Sequence, residues 1–196
     1  MLDLDAIPKL TKADWTVLDI PSHAEAVALI EALHYAKGAP NTSTFRHGLY
    51  KTATAPLYGY AWGVALWIPP TKVAALTVAE NWQGVLALSR FVLDPSVPPN
   101  GASYLLGRSM RLVDRERWPV LLTYADTAHG HTGAIYKATN WECLGPVPAG
   151  DVWVDGAGVQ RGRKRGGHTL RRAEMIALGF TQVKQEPKIK YVQRAA

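Results

Sequence analysis

The sequence predicts a mixed α/β fold, in which helices flank a single, mostly antiparallel sheet. Stretches with apolar residues at helical spacing alternate with short apolar runs bounded by Pro, Gly or Asn, the pattern of alternating helices and strands. The chain has 196 residues, of which 47% are hydrophobic and 19% charged, as is usual for one folded domain. We therefore predict a single domain over residues 1–196, with a basic C-terminal segment at 156–196.

The first predicted helix follows Pro21 and ends near His34 and Tyr35. Ser22 and Glu25 have the spacing of a capping box, in which side chains accept hydrogen bonds from the backbone at the helix start. Strands are expected where β-branched and aromatic residues lie between turn residues. In the first half of the chain, these strands span Phe45–Lys51, Leu57–Trp67 and Val85–Leu93.

The second half continues the alternation. Asn100 is expected to cap a helix from Gly101 to about Arg117, which has an apolar face at helical spacing. The apolar run Val120–Ala125 is typical of a buried strand. The glycine- and arginine-rich stretch at 156–167 is expected to be a loop. The remaining predicted elements are a helix at Gly133–Thr139, strands at Trp141–Leu144 and Val152–Val154, a helix at Thr169–Leu178 and an extended segment at Ile189–Gln193.

Positive charge is concentrated at the C-terminal end. The formal net charge is +6, yet residues 160–196 hold ten Lys and Arg against two Glu, and the rest of the chain is slightly acidic. A segregated basic segment is the usual footprint of a polyanion-binding surface. A solvated tail that only aids solubility is the alternative. The residues expected to contact DNA phosphates are Arg161, Arg163, Lys164, Arg165, Arg171 and Arg172.

Neither export nor membrane insertion is predicted. The single cysteine, Cys143, allows no intrachain disulfide, which suits a reducing cytoplasm, and its apolar neighbours predict a buried thiol. Asp3 and Asp5 stand where a secretory signal carries basic residues. The longest apolar run, Gly63–Ile68, is far shorter than the roughly 20 residues that span a bilayer. We expect a cytoplasmic protein without a membrane partner, and a homodimer stays open.

The turn before the central helix is suited to a pyrophosphate. A helix N-terminus offers unpaired backbone N–H groups and about half a positive charge. The small residues Gly101 and Ala102 let a phosphate approach the backbone, and Ser103 adds a hydroxyl. An ordinary strand-to-helix turn capped by Asn100 explains the same residues equally well.

Asp126 lies just past the apolar strand, at the sheet edge where ligands bind in open α/β folds. A carboxylate there can act as a base, orient an amine or bind a metal, and a turn-forming Asp is the alternative. Arg90 lies within another apolar strand, where a lone charge is costly. We therefore expect a phosphate or Asp126 as its partner.

His34, Tyr35 and Asp126 form a candidate metal site. All three residue types ligate iron, and imidazole also suits zinc. If the fold brings the first two to Asp126, a three-ligand site with open positions results. The alternative is a helix end at which Tyr35 packs and His34 is solvated. His129 and His131, close to Asp126 in sequence, more often support a loop than a metal.

Several blocks of the sequence resemble the Mom family of phage DNA-modification proteins. Their shared order, rather than any single block, carries the resemblance. From Leu88 to Gly145 the order of strand, turn, helix, strand and short helix also resembles the cofactor-binding half of acyl-CoA-dependent N-acyltransferases of the GNAT fold, without their strict Arg/Gln-x-x-Gly-x-Gly/Ala turn. The blocks are His34-Tyr35, Gly63–Trp67 with two prolines after it, Leu88–Phe91, Pro99–Ser103, Tyr124–Asp126 and Gly130–Trp141.

The resemblance implies a GNAT-like phage or prophage enzyme in the cytoplasm of a bacterial host. It would convert adenine N6 in double-stranded DNA to N6-carbamoylmethyladenine and so protect the DNA from restriction. The expected cofactors are acetyl-CoA or a related acyl donor, and iron or zinc. The implied catalytic residues are Asp126, Tyr35, His34, Arg90, Ser103 and Tyr136. The implied cofactor-binding residues are Asn100, Gly101, Ala102, Ser103, Tyr136 and Asn140.

Two other functions stay open. One is a conventional acyl-CoA-dependent N-acyltransferase on a small amine or protein, which the missing pyrophosphate signature disfavours. The other is a non-catalytic DNA-binding protein, which the polar residues expected at one sheet edge disfavour. An enzyme acting on adenine must unstack the base, and aromatic side chains can then hold it. The candidates for such stacking are Tyr35, Tyr58, Tyr60 and Trp62.

Overall fold

In a computed structural model, which describes residues 9–35, 38–52 and 60–195, helices pack on both faces of a seven-stranded sheet. The helices are α1 (His23–Leu33), α2 (Lys72–Leu76), α3 (Gly101–Leu112), α4 (Ala134–Ala138) and α5 (Arg172–Ala177). The strands are β1 (Trp15–Asp19), β2 (Phe45–Lys51), β3 (Gly63–Ile68), β4 (Val85–Leu93), β5 (Val120–Asp126), β6 (Glu142–Val147), β7 (Val152–Val154), β8 (Gln160–Arg161), β9 (Lys164–Arg165), β10 (His168–Thr169), β11 (Thr181–Val183) and β12 (Lys188–Arg194).

The main sheet has the order β1-β2-β3-β4-β5-β12-β6. Its neighbouring strands are antiparallel except for β4 and β5, which are parallel and paired only over Val85–Ala87 and Val120–Leu122. Beyond these residues no ladder joins β4 to β5, so the two strands diverge toward the Asp126 end. The predicted fold class, a mostly antiparallel sheet flanked by helices, is confirmed.

The two faces of the sheet bury different helices, because successive residues of a strand point to opposite sides. On one face, α1 packs on Val64 and α2 packs on Leu122. On the other face, the cluster that holds α3 and α4 includes Ala65 and Leu121. We refer to them as the α1 face and the α3 face. No helix in the described ranges is long and apolar enough to cross a membrane.

A chain of polar contacts crosses the core on the α3 face. Trp67 Nε1 donates to Ser109 Oγ over 2.8 Å, and Ser109 Oγ lies 2.7 Å from His47 Nδ1. All three side chains have no solvent exposure. Burial lowers the pKa of His47 to about 4, against the weaker opposing effect of Asp19, whose Oδ1 lies 3.3 Å from Nε2. His47 is therefore neutral at pH 7.

The segment at 148–187, which we call the insert, lies between β6 and β12. It contains the three-stranded sheet β11-β7-β8, the pair β9-β10 and helix α5. Its buried residues Trp153, Leu170 and Met175, with Phe180 against them, form a cluster separate from the others. Val147 and Lys188 pair where the chain leaves and re-enters the main sheet, so the insert extends a β-hairpin.

Several local predictions were wrong. Ser22 stands at the start of α1, but its side chain makes no capping hydrogen bond, so the capping box is absent. Helix α3 ends at Leu112 rather than near Arg117, because Asp114 turns the chain by accepting hydrogen bonds from the N–H groups of Glu116 and Arg117. Strands β1 and β11 and helix α2 were not predicted.

Further corrections concern strand bounds and exposure. Strand β3 begins at Gly63, later than the predicted Leu57, and part of the predicted strand lies outside the described residues. The stretch at 156–167 holds strands β8 and β9 rather than a plain loop, and α5 begins at Arg172. Cys143 is exposed, not buried, because β6 is the edge strand of the main sheet.

Candidate active site

A cavity of about 320 Å3 occupies the gap where β4 and β5 diverge. Strand β4 has a bulge beside it: Leu66 pairs with Arg90 and Trp67 with Leu88, so Ser89 is the extra residue. The cavity is lined from both faces of the sheet, since Tyr124 in its wall packs with the α1-face residues and Tyr136 with the α3-face residues. Its other walls are His34, Tyr35, Leu88, Ser89, Phe91, Thr123 and residues 130–135.

Asp126 lies at the α1-face end of this gap and is buried. Lys188 Nζ lies 2.9 Å from its Oδ2, and the Tyr35 hydroxyl donates to the same oxygen over 3.4 Å. Burial acts to raise the pKa of Asp126, but the hydrogen bond and charge of Lys188 outweigh it, and the pKa is lowered. Burial and the Asp126 charge raise the pKa of Tyr35 to about 12. At pH 7 the site thus holds a carboxylate and a protonated phenol.

Three rings are stacked beside this carboxylate. The Tyr35 ring lies between His34, at a centroid distance of 4.3 Å, and His129, at 3.8 Å. His131 meets the Tyr35 ring edge-on at 5.4 Å. His34 is buried rather than solvated. The fold therefore brings Tyr35, with His34 stacked on it, to Asp126, which is the condition on which the candidate metal site depended.

The geometry of these residues gives no support to a metal ion. Asp126 Oδ2 is already engaged by the Lys188 ammonium and the Tyr35 hydroxyl. Across the described ranges, no three His, Cys, Asp or Glu side chains are grouped closely enough to hold a metal. The predicted iron or zinc site therefore has no support from the geometry.

Arg90 lies on the α1 face and contacts carbonyl groups. Its Nε donates to Gly38 O over 2.7 Å, and its Nη1 donates to Ser89 O over 2.8 Å. Asp126, one of its two predicted partners, is not its partner here. Burial lowers the pKa of the guanidinium, and the nearby Tyr35 opposes that shift.

Tyr136 lies deeper in the cavity, on α4. It is buried, and its hydroxyl lies 3.4 Å from Thr123 Oγ1. Burial raises the pKa of Tyr136, so the phenol keeps its proton at neutral pH. Asn140, predicted beside it as a cofactor contact, is exposed and adopts a left-handed backbone conformation with φ of 61° just after α4.

The start of α3 is partly used by packing. The Asn100 amide forms two hydrogen bonds with the backbone of Leu10, and it makes no helix-capping bond. A Cβ on Gly101 would lie 2.2 Å from the Val97 side chain, so close packing requires this glycine. Ser103 Oγ donates to Asn100 O. Ala102 and Ser103 remain partly exposed at this helix start.

The six predicted DNA contacts all lie on the insert. Arg161 is ion-paired with Asp155, and Arg163 donates two hydrogen bonds to a backbone carbonyl. Arg165, Arg171 and Arg172 are exposed. For Lys164 the backbone lies in β9.

The stacking candidates differ in exposure. Tyr35 is 40% exposed at the cavity mouth, and Tyr60 is 94% exposed. Trp62 packs edge-on against Trp15 and lies under the Lys51 ammonium. Tyr58 lies outside the described residues.

Lys188 is the site residue that the sequence analysis missed. The segment was predicted only as an extended end, and its insertion between β5 and β6 is a long-range pairing. Lys188 and Lys190 alternate with apolar residues, which places both cations on one side of the strand. Because buried cations need partners, this pattern could have indicated an acidic partner for Lys188.

Solved structures with the same architecture define the class of fold. A GCN5-related N-acetyltransferase from Kribbella flavida is 11% identical, with a TM-score of 0.53, covering 94% of this chain and 100% of the other. An acetyltransferase from Salmonella typhimurium, solved with its cofactor acetyl-CoA, is 9% identical, with a TM-score of 0.52 and coverages of 92% and 94%. The chain therefore has the GNAT fold. No curated protein matches its sequence significantly.

The family can be stated more narrowly. The model of the Mom protein family matches residues 14–152, which is well over half of the chain. The chain belongs to the Mom protein family, as its sequence blocks predicted. The matched range includes the cavity walls, Asp126 and Tyr136, and it ends at residue 152, within the first residues of the insert.

Proposed function

We propose that this protein is a transferase that modifies the N6 amine of adenine in double-stranded DNA, using an acyl-CoA-type donor, and thereby protects the DNA from restriction. Membership of the Mom family supports DNA as the substrate and the carbamoylmethyl group as the product. The observation that carries the proposal is the cavity between β4 and β5, whose walls come from both faces of the sheet. A donor and an acceptor that enter from opposite faces would meet in it.

The α3-face side of the gap fits the acyl arm of a coenzyme A thioester. Because β4 and β5 are not paired beyond Ala87 and Leu122, their facing edges can hold an extended chain that carries amides. The bulge at Ser89 turns the β4 backbone at this point. Such a donor supplies an activated acyl carbon. Ala102 and Ser103 at the start of α3 would hold the pyrophosphate, since Asn100 and Gly101 serve packing.

The α1-face mouth fits the acceptor base. The N6 amine is a weak nucleophile, so a carboxylate that accepts a hydrogen bond from it both orients it and increases its electron density. Asp126 is held as a carboxylate by Lys188, and its lowered pKa makes it an orienting group rather than a strong base. Unstacking the adenine costs a few kcal/mol. His34 and His129 cover the two faces of the Tyr35 ring, so this ring borders the base at the cavity mouth and does not stack on it.

Tyr136 is the proton-bearing group deeper in the cavity. Its buried phenol keeps its proton, and its hydroxyl is placed by Thr123. In this position it can donate a hydrogen bond to a group that gains negative charge. His34 supports Tyr35 by stacking, and Arg90 contributes positive charge near the same ring.

The product sets a further requirement. Transfer of an acetyl group from a thioester to N6 would leave an N-acetyl group, whereas the carbamoylmethyl group contains an additional nitrogen and an N–CH2 bond. The proposed donor is therefore an acyl thioester whose α-carbon carries a leaving group. N6 displaces that group and loses a proton, which forms the N–CH2 bond, and an ammonia-type amine displaces the coenzyme A thiol at the acyl carbon, which forms the amide. We route no step through iron or zinc, because the geometry of His34, Tyr35 and Asp126 gives no support to a metal.

The test is mass spectrometry of nucleosides from the DNA of cells that express the protein or its Asp126→Asn variant. We expect a deoxyadenosine species heavier by one carbamoylmethyl group with the first protein only. An N-acetyl adduct would keep DNA as the substrate and replace the transferred group. Unmodified DNA from cells containing folded protein would refute the proposal, and acetylation of a small amine by the purified chain would then identify a conventional N-acyltransferase.

A further inference from the structure

The insert has a hydrophobic core that is separate from the core of the main sheet. Its hydrophobic cluster of Trp153, Leu170 and Met175 is distinct from the clusters that hold the main sheet. Met175 has no solvent exposure, whereas most other residues of the insert are exposed. A segment with its own small core can hold a rigid shape while most of its surface faces solvent.

A two-stranded ribbon projects from this core. Strands β9 and β10 pair through Arg165 with His168 and through Lys164 with Thr169. The connecting residues Gly166 and Gly167 have φ values of 55° and 86°, as in the tight two-residue turns of β-hairpins. A Cβ on either glycine would meet nothing within 4 Å, so the tip of the ribbon stands in open space.

The arginines of the insert fall into two groups. Arg161 is paired with Asp155. Nε and Nη2 of Arg163 both donate to Leu170 O, and these hydrogen bonds connect the residue before β9 to the residue after β10. The contacts of these two arginines lie within the insert, so both side chains stabilise its structure.

The second group consists of Arg165, Arg171 and Arg172. In the part of the chain that the structure describes, none of them forms an ion pair with a carboxylate. Arg165 lies over the Phe180 ring at 5.3 Å, which leaves its guanidinium edge exposed. We call these three residues the outer arginines. They mark the ribbon and the chain just after it as a surface for an anionic partner.

The insert is connected to the candidate active site. Lys188, the first residue after the insert, pairs with Asp126 in the sheet and forms an ion pair with its side chain. Pro187 O, the last carbonyl of the insert, accepts a hydrogen bond from Thr127 Oγ1 over 2.6 Å. The point where the insert joins the main sheet therefore lies at the same end of β5 as the cavity mouth.

We infer that the ribbon β9-β10 enters the major groove of duplex DNA, with the outer arginines on the flanking phosphates. This inference rests on the proposed function for the choice of DNA as the polyanion. The major groove, about 12 Å wide, admits a two-stranded ribbon, and the N6 amine of adenine projects into it. A ribbon in this groove would place the reactive edge of adenine on the same side of the duplex as Asp126. Phosphate contacts of this kind position the duplex without reading its sequence.

The experiment measures binding of a 20-base-pair duplex by fluorescence anisotropy at several salt concentrations. The variant combines Arg165→Gln, Arg171→Gln and Arg172→Gln. The control combines Lys12→Gln, Lys72→Gln and Arg111→Gln, which removes the same charge from exposed positions outside the insert. Circular dichroism and thermal unfolding verify that both variants fold.

We expect the outer-arginine variant to bind about tenfold or more weakly at 0.15 M salt, and the control to bind within about twofold of the unaltered protein. The slope of log K against log salt should become shallower by up to about 2.7, since each lost phosphate contact removes about 0.9. Equal weakening of both variants would overturn the inference, because it would reflect net charge alone. An unchanged slope would overturn it as well.

A competition experiment tests the groove. We expect methyl green, which occupies the major groove, to displace the protein, and netropsin, which occupies the minor groove, to leave it bound. The reverse result would overturn the groove assignment. If the unaltered protein binds DNA through the outer arginines and leaves every nucleoside unmodified, the inference stands and the proposed function falls. Full modification with a variant that no longer binds would overturn the inference alone.

Discussion

The main sheet and the insert use their polar residues in opposite ways. The main sheet buries polar groups, as with His47 and Ser109 in its core and Asp126 at its edge, and burial shifts the pKa values of His47 and Tyr35. The insert keeps its arginines at the surface. Chemistry requires groups whose protonation and position are fixed by their surroundings, whereas attraction of a polyanion requires charges that face solvent.

The two regions also differ in the size of their cores. On the main sheet, Trp67, Leu105 and Leu106 have no exposure, and many other side chains pack around them. In the insert Met175 alone is fully buried, beside Trp153 and Leu170, each 7% exposed. A small core gives a low local free energy of unfolding, so we expect the insert to open without the main sheet.

The variant with the largest predicted effect tests whether catalysis and DNA binding reside in different regions of the molecule. Asp126→Asn removes the carboxylate charge and leaves Lys188 without its ionic partner. We expect the modification rate to fall about 10²- to 10³-fold, the usual loss when one preorganised electrostatic contact to the reacting group is removed. DNA affinity should change less than threefold, because the outer arginines are intact. A parallel loss of affinity would mean that the two regions are not separate in function.

The next effect tests whether the insert unfolds by itself. Met175→Ala creates a cavity in the small core, and such a truncation costs about 2–5 kcal/mol. We expect hydrogen exchange to speed up at 148–187, with the amides of β2–β5 still protected. The matched variant Leu106→Ala, also at a fully buried site, should speed exchange in the main sheet instead. Uniform exchange in both variants would indicate one cooperative unit.

A third prediction concerns acid stability of the main sheet. The pKa of His47 is about 4 in the folded state and 6.5 by its ordinary value, so the unfolded chain binds a proton at higher pH than the folded chain does. The free energy of unfolding should therefore fall as the pH drops from about 6.5 to about 4, by at most about 3 kcal/mol from this group. Above pH 6.5 the group should contribute no pH dependence.

The control for this prediction is His47→Gln, studied by urea unfolding over the same pH range. The variant should be less stable at pH 7, because Ser109 loses its imidazole partner. The difference in stability between the two proteins should then shrink as the pH falls toward 4. A constant difference would show that His47 has the same pKa in the folded and unfolded chains, contrary to its burial.

The sequence predicted those features best that depend on neighbouring residues or on the order of motifs along the chain. The Asp126 strand end and the α4 tyrosine were predicted because each lies beside a clear element boundary. Pairing across long separations could not be predicted in this way. Lys188 reaches Asp126 only because β12 inserts between β5 and β6. The division of the arginines likewise depends on Leu170 O, a backbone partner that composition does not reveal.

The variant with the smallest predicted effect tests whether Arg161 stabilises the insert rather than binding DNA. Asp155 accepts hydrogen bonds from the N–H groups of Ala157 and Val159, and Arg161 binds its other oxygen. Arg161→Gln should therefore loosen the turn before β8 and speed hydrogen exchange at these two amides. Because exposed ion pairs contribute little to stability, the melting temperature should change only slightly. DNA affinity should remain within about twofold and the salt slope within about 0.9 of its value. If this single change weakens binding as much as loss of the outer arginines, Arg161 contacts phosphate, and the insert does not separate arginines that hold its shape from arginines that hold DNA.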